Sequence, residues 1–339
     1  MKSLKAKHFK KKKECRVTVL INNLMDKEVQ RLLWPLNLMH HILLCPKYRI
    51  KNNFIDPNGL VIKFISLCFI ISILSCFLYR LYDMSFNAFA KGRTNAMFIC
   101  AFVDFFLFAA GSFINYTVNV LKSERNVSFV LKFQNVHRVV NDKNKFHKLV
   151  LRGWVGTLIA CSFSVYINVC SWFRLKLPVH DFLCGLACLV FDFNLVYAMR
   201  LISLLRNKVL LWNCKVKDLL KKVDHTNNDS FCEKMFDTYV NIMDCYDIYI
   251  VTYQHLIVFH TVEFFFHFLL KLKVVTEIFK RVHVIDDLAI AWLTASTLYT
   301  WVVKSLIFEV ILSSYCERFY MAMIDVQSTC AHILTSNLT

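Results

Sequence analysis

Glycine is scarce in this chain: six residues in 339. A phosphate-cradling loop needs glycines so that backbone N–H groups can close on the anion, and here none can be placed. No Walker A, GxGxxG, GxSxG or HExxH motif occurs, so no catalytic arrangement stands out. Nor does any CxxC pair suggest zinc. Of the 14 cysteines, Cys68, Cys76, Cys100, Cys161 and Cys188 sit in or beside apolar runs, where a reduced thiol is a small buried apolar group. A bridge between Cys170 and Cys184 is left open, since both fall toward one membrane face. A secretory signal is missing too: MKSLKAKHFKKKKECR is basic, but no apolar core with a small-residue cleavage site follows. Charge is thin at 19%, against about 25% in soluble domains.

What is abundant is apolar. The chain is 57% hydrophobic with 31 Phe, and the excess is gathered in blocks. Runs long enough for a bilayer, which takes about 20 helical residues, cover 60–80, 96–121, 154–173, 179–205, 247–270 and 285–312. These predict an all-α polytopic membrane bundle of six spans (60–312), preceded by a basic segment (1–59) and followed by a C-terminal one (313–339). The net charge of +17 accompanies no RNA- or DNA-binding motif, so no nucleic-acid partner is expected. Bases flanking spans set topology and meet anionic lipid headgroups, which makes membrane lipids the expected partner of this charge.

Lys and Arg alternate along the chain. Residues 1–59 carry 13, and the following segments carry 3 (80–95), 8 (122–152), 2 (174–178), 8 (200–234) and 4 (271–281). The richer set favours the cytoplasm, which predicts a cytosolic N-terminus and cytosolic long loops at 122–153 and 206–246. The sequons at Asn126, Asn228 and Asn337 then fall inside the cell and that at Asn115 within a span. This pattern argues against a G-protein-coupled receptor, whose N-terminus lies outside. Trp212, Val216, Leu219 and Val223, and after a break Met235, Tyr239, Ile242 and Tyr246, recur at helical spacing. They predict cytosolic helices, either packed together or lying on the membrane surface.

Ionisable residues inside spans are costly and mark ligand, ion or proton paths, or else pair with neighbours. Asp104, Asp192 and Glu263 are of this kind, with Lys63 or Arg200 as possible partners. In HLIVFHTVEFFFHFLL (255–270), His260, Glu263 and His267 share one helical face. Such a stripe can bind zinc or iron, yet no second matching motif completes a metal site, and a polar stripe facing other helices or a water-filled cavity is the main expectation. No metal and no cofactor is expected.

The ten residues LNLMHHILLC between Pro35 and Pro46 are too few to span. They predict a short cytosolic-side helix against the bilayer, with Lys47, Arg49 and Lys51 at the headgroups. The segment PLNLMHHILLCPKYRIKNNFIDPNG (35–59) resembles the N-terminal signature of insect gustatory receptors, most closely the moth and butterfly lineages associated with bitter plant compounds. His40 stands where that pattern has Gln. SYCERFYMAMIDVQSTCAHIL (314–334) resembles the segment after their sixth span, with Cys316–Glu317 and Val326–Gln327 in place.

The resemblance implies a cell-membrane receptor for taste perception that is not an enzyme. It would be a ligand-gated, non-selective cation channel signalling without a G protein, with seven helices, an inside N-terminus and four subunits around one pore. An intracellular anchor domain would join the subunits in a homo- or hetero-tetramer with other gustatory receptor subunits. Its ligand, a small bitter or plant-derived tastant, would bind in the outer half of helices two to six. In this chain that region holds Asp104, Phe105, Tyr166, Trp172, Glu263, His267, Trp292 and Thr294. The family's pore-lining seventh helix, with its T-Y-apolar-Q-F-type signature, finds no counterpart, because TLYTW (297–301) lies inside the sixth span. A truncated chain is therefore expected, and no pore residue is carried over. Competing readings are a binding-only subunit, and a membrane enzyme or transporter using the His260–Glu263–His267 stripe.

Overall fold

A computed structural model describes residues 23–86, 95–175, 178–221, 229–282 and 288–336. The chain enters through a small module: helix α1 (Lys27–Ile42), then a hairpin of β1 (Arg49–Lys51) and β2 (Phe54–Asp56). Asn52 and Asn53 both take positive φ, 53° and 64°. That is the backbone of a two-residue type I′ hairpin turn, and Asn tolerates it better than other residues with a Cβ. The register pairs Arg49 with Asp56, Ile50 with Ile55 and Lys51 with Phe54. Met25 N–H donates to the Asn53 carbonyl at 2.7 Å, tying the entry strand to the turn.

Long helices follow: α2 (Leu60–Phe86), α3 (Asn95–Tyr116) continuing into a π turn (Thr117–Leu121), α4 (Ser123–Val139), α5 (Lys143–Leu175), the short α6 (Val179–Ala187), α7 (Leu189–Lys221), α8 (Asp229–Val282) and α9 (Leu288–Ser336). Among the described residues, six segments are long and apolar enough to cross a membrane: 60–83, 98–121, 146–174, 179–218, 230–280 and 291–331. Their outward faces carry large apolar side chains, among them Leu60 at 83% exposure, Val61 at 73% and Phe113 at 70%. Water would penalise such surface heavily, whereas lipid would not.

Two regimes of packing divide the bundle along its length. At the end nearest the N-terminal module, one large core joins α1, the hairpin, α4, the lower half of α7, the start of α8 and the end of α9. Leu32, Leu36, Tyr48, Phe133, Leu205, Trp212, Met235 and Val326 all belong to it. The amphipathic stripes of 209–223 and 231–249 thus face each other rather than a membrane surface: Trp212 Nε1–H donates to the Met235 carbonyl at 2.8 Å, and Trp212 packs on Tyr239. Leu219 and Val223 lie outside the residues whose side chains are described. The segments expected as long loops are largely helical, because α4, α5, α7 and α8 extend through them. The middle of α7 is the most enclosed apolar stretch of the chain, with Tyr197, Ala198, Leu201, Ile202, Leu204 and Leu205 all at most 2% exposed.

The residues of 35–59 correct the headgroup expectation. Lys47 is 0% exposed, as are Tyr48 and Ile55. Its ammonium donates to Asn119 Oδ1 and to Asn194 Oδ1 at 2.7 Å, and sits 4.6 Å from the Tyr197 ring centroid and 5.2 Å from that of Tyr253. His40, also buried, contacts the Leu36 carbonyl at 2.8 Å and Asn194 Oδ1 at 3.2 Å. Asn58 donates to the Pro46 carbonyl at 2.6 Å. Only Arg49 and Lys51 of the three bases are exposed. The π turn helps: its extra residue turns Asn119 toward Lys47, and Asn126 Nδ2–H caps the freed Val118 carbonyl at 3.0 Å. π turns are uncommon and often local to functional sites; here the turn serves a buried lysine.

Candidate ligand-binding cavity

At the opposite end from the N-terminal module, the helices separate around a cavity of about 360 Å³, within the range of small-molecule sites. Its wall combines the end of α2, the first half of α3, the end of α5, the start of α6, the second half of α8 and the first half of α9. Aromatic rings supply the apolar part: Phe77 and Phe108 stack at 4.1 Å, Trp172 packs on Phe182 at 5.0 Å, and Trp301 completes the wall.

The polar part is a chain of charges that crosses four helices. Arg80 Nε lies 2.6 Å from Asp181 Oδ1, and its Nη1 lies 3.5 Å from Asp104 Oδ2. Asp104 Oδ1 is 3.3 Å from His267 Nδ1. His267 Nε2 is 3.6 Å from Glu263 Oε1, and Glu263 Oε2 is 3.2 Å from His260 Nδ1. Placing opposite charges side by side is how ionisable groups are accommodated at membrane depth. Asp192 is served separately by Lys304 at 2.7 Å and by the Ser164 hydroxyl at 2.9 Å.

Of the expected pocket residues, Asp104, Trp172, Glu263, His267 and Thr294 line the cavity. Three others are placed elsewhere. Phe105 packs beside the Phe77–Phe108 cluster instead. Tyr166 is 61% exposed and Trp292 60%, on outward faces of α5 and α9; Trp292 meets Phe279 edge to face at 5.0 Å. Asn168, two residues on from Tyr166, and Thr297, five on from Trp292, face inward, so helical phase decides the difference. The expected carboxylate partners also change: neither Lys63 nor Arg200 serves Asp104 or Asp192, and Arg200 donates to the Leu149 carbonyl. Cys170 and Cys184 are both free, which corrects the bridge left open for them.

Sequence reasoning missed Arg80, Asp181, Lys271 and Trp301. Arg80 and Lys271 entered only as topology-setting bases. The available signal was depth: Arg80 lies six residues before the end of α2 and Asp104 nine after the start of α3, which brings them to neighbouring levels in an antiparallel pair. Among the described residues, no group of three or more His, Cys, Asp or Glu is arranged to hold a metal ion. The buried sequon residues Asn115 and Asn126 have no room for a glycan.

The fold and cavity together define an all-α polytopic bundle, six helices of membrane-spanning length enclosing a small-molecule-sized pocket at one end. No protein-family model matches the chain, and no curated protein matches it.

Proposed function

We propose that the chain is a chemosensory receptor subunit of the gustatory type, lying in the cell membrane with its N-terminus in the cytosol. A small molecule of largely apolar character occupies the cavity and biases helix packing, and a cation pathway opens in a four-subunit assembly. The observation that carries this reading is the position of the cavity. It lies at the end of the spans remote from the basic N-terminal module, so that a cytosolic N-terminus turns it outward, toward dissolved ligands. Its lining of aromatic rings with a few convergent polar groups is what a small-ligand site requires. The charge chain ties four helices together, and a ligand that disturbs one pair changes the packing of all four. The resemblance of 35–59 and 314–334 to gustatory receptors supplies the channel part of the proposal.

The test is current recording from cells expressing the chain, alone and with other receptor subunits, during application of a panel of plant compounds. A ligand-gated current is expected, with Trp172→Ala and Asp104→Asn each shifting the half-maximal concentration about tenfold or more while surface expression is retained. Normal surface expression with no current in any combination counts against the reading. A transporter is the second reading, favoured by the alternating charges that cross the pocket; it would show substrate uptake without conductance.

A further inference from the structure

We infer that the cavity's ligand carries an anionic oxygen group, seated on the Lys271 ammonium, with an apolar body between Trp301 and Trp172. This rests on the cavity being the ligand site and names the chemistry that site accepts.

Every carboxylate of the wall already has a basic neighbour. Asp181 and Asp104 share Arg80, Asp104 also meets His267, and Glu263 lies between His267 and His260. Just beyond the wall, Lys304 holds Asp192. Lys271 is different. It lines the cavity, yet among the described residues no carboxylate lies within ion-pair distance of it: Asp104, the carboxylate whose charge reaches it, is already engaged by Arg80 and His267, and the Lys271 ammonium lies 5.6 Å from the Trp301 ring centroid. Lys304 approaches the same ring at 4.4 Å, so two cations flank Trp301, and Asp192 pairs with Lys304. Of these two cations, Lys271 is the one without an ion pair among the described residues.

Trp301 is itself fixed, donating its indole N–H to Ser171 Oγ at 3.3 Å, which holds its face in place for a ligand. A cation in poor solvent is costly until paired, and a ligand anion would supply the pair. An ammonium ligand would have to displace an existing basic partner from Asp104, Asp181 or Glu263. A neutral ligand would leave Lys271 as it is. The anionic group could belong to a free organic acid or to a lipid headgroup, since both offer the same oxygens.

The experiment is calorimetric titration of the full chain in phosphatidylcholine nanodiscs with three probes of one size: benzoate, benzamide and benzylamine. Benzoate should bind tightest. Lys271→Met should weaken benzoate roughly ten- to a hundredfold, as loss of a charged hydrogen bond does, and leave benzamide unchanged. Lys271→Arg should retain most benzoate affinity. Because Met removes an unpaired cation, the variant should melt no lower than the parent. Should it fail to fold, the Arg variant and the ranking of the three probes still decide.

Benzylamine binding as tightly as benzoate, an unchanged benzoate affinity in Lys271→Met, or no saturable benzoate binding overturns the inference. Phosphatidylserine nanodiscs separate the sources: competition with benzoate assigns the site to a headgroup, and its absence assigns it to a free acid. If benzoate ranks first but no ligand gates a current, the receptor reading fails and the anion site stands. If amines gate the channel and anions do not, the reverse holds.

Discussion

Lys47 shows how much one residue can hold. Fully buried and served by two amide oxygens and two tyrosine rings, it fastens the N-terminal module to α3 and α7. Burial drives its pKa down. Lys47→Ala should cost about 2–4 kcal/mol, combining a cavity with two orphaned acceptors, while Lys47→Met, which keeps the volume, should cost less; melting of the detergent-solubilised chain measures both. His40 lies in the same pocket. Its burial, with Lys47 beside it, lowers its pKa to about 3, and burial lowers those of His41 and His137 as well. In the unfolded chain these imidazoles protonate near their usual value of about 6.5. Folded stability is therefore full above that pH and is lost as pH falls toward 3, by up to about 1.4 kcal/mol per pH unit from His40 alone. Hydrogen exchange of residues 27–58, corrected for intrinsic rates, should rise between pH 7 and 5, whereas a flat profile would mean that His40 is not buried neutral.

Among the elements, α3 makes a close crossing at a glycine. A Cβ on Gly111 would come within 2.7 Å of the Phe259 ring and 2.8 Å of Phe191, so α3 meets α7 and α8 there through aromatic rings laid on bare backbone. Gly111→Val should cost about 1–3 kcal/mol by overpacking and lower the melting temperature, with Gly111→Ala milder. The hairpin offers a cleaner backbone test. Asn53→Val should destabilise the module by about 1–2 kcal/mol, because a β-branched residue resists left-handed φ, whereas Asn53→Gly should preserve it. Protection of the Met25 amide, which bonds Asn53, reports the outcome.

At the scale of the whole molecule, the proposed topology makes one direct claim: an epitope at Met1 is reachable only after the membrane is permeabilised, and labelling on intact cells would reverse the assignment. The six helices of membrane-spanning length and the helical nature of 209–221 and 231–249 were legible in the sequence, because apolar length and a 3.6-residue stripe are local properties. Five cavity residues were legible because polar and aromatic groups inside a span already stand out against their background. Phe105, Tyr166 and Trp292 lie off the cavity wall, because depth can be counted along a helix but rotational phase depends on its neighbours. Lys47 looked like a headgroup base for the same reason: nothing in KYRIK says that Asn119 and Asn194, 72 and 147 residues away, will close over its first lysine. By itself the sequence determined that the chain forms membrane-length helices flanked by bases, since hydropathy and charge act residue by residue. Only the tertiary structure decided which charges meet, leaving Lys271 without an ion pair among the described residues and Lys47 sealed in the core, because pairing depends on distances between helices that no single helix encodes.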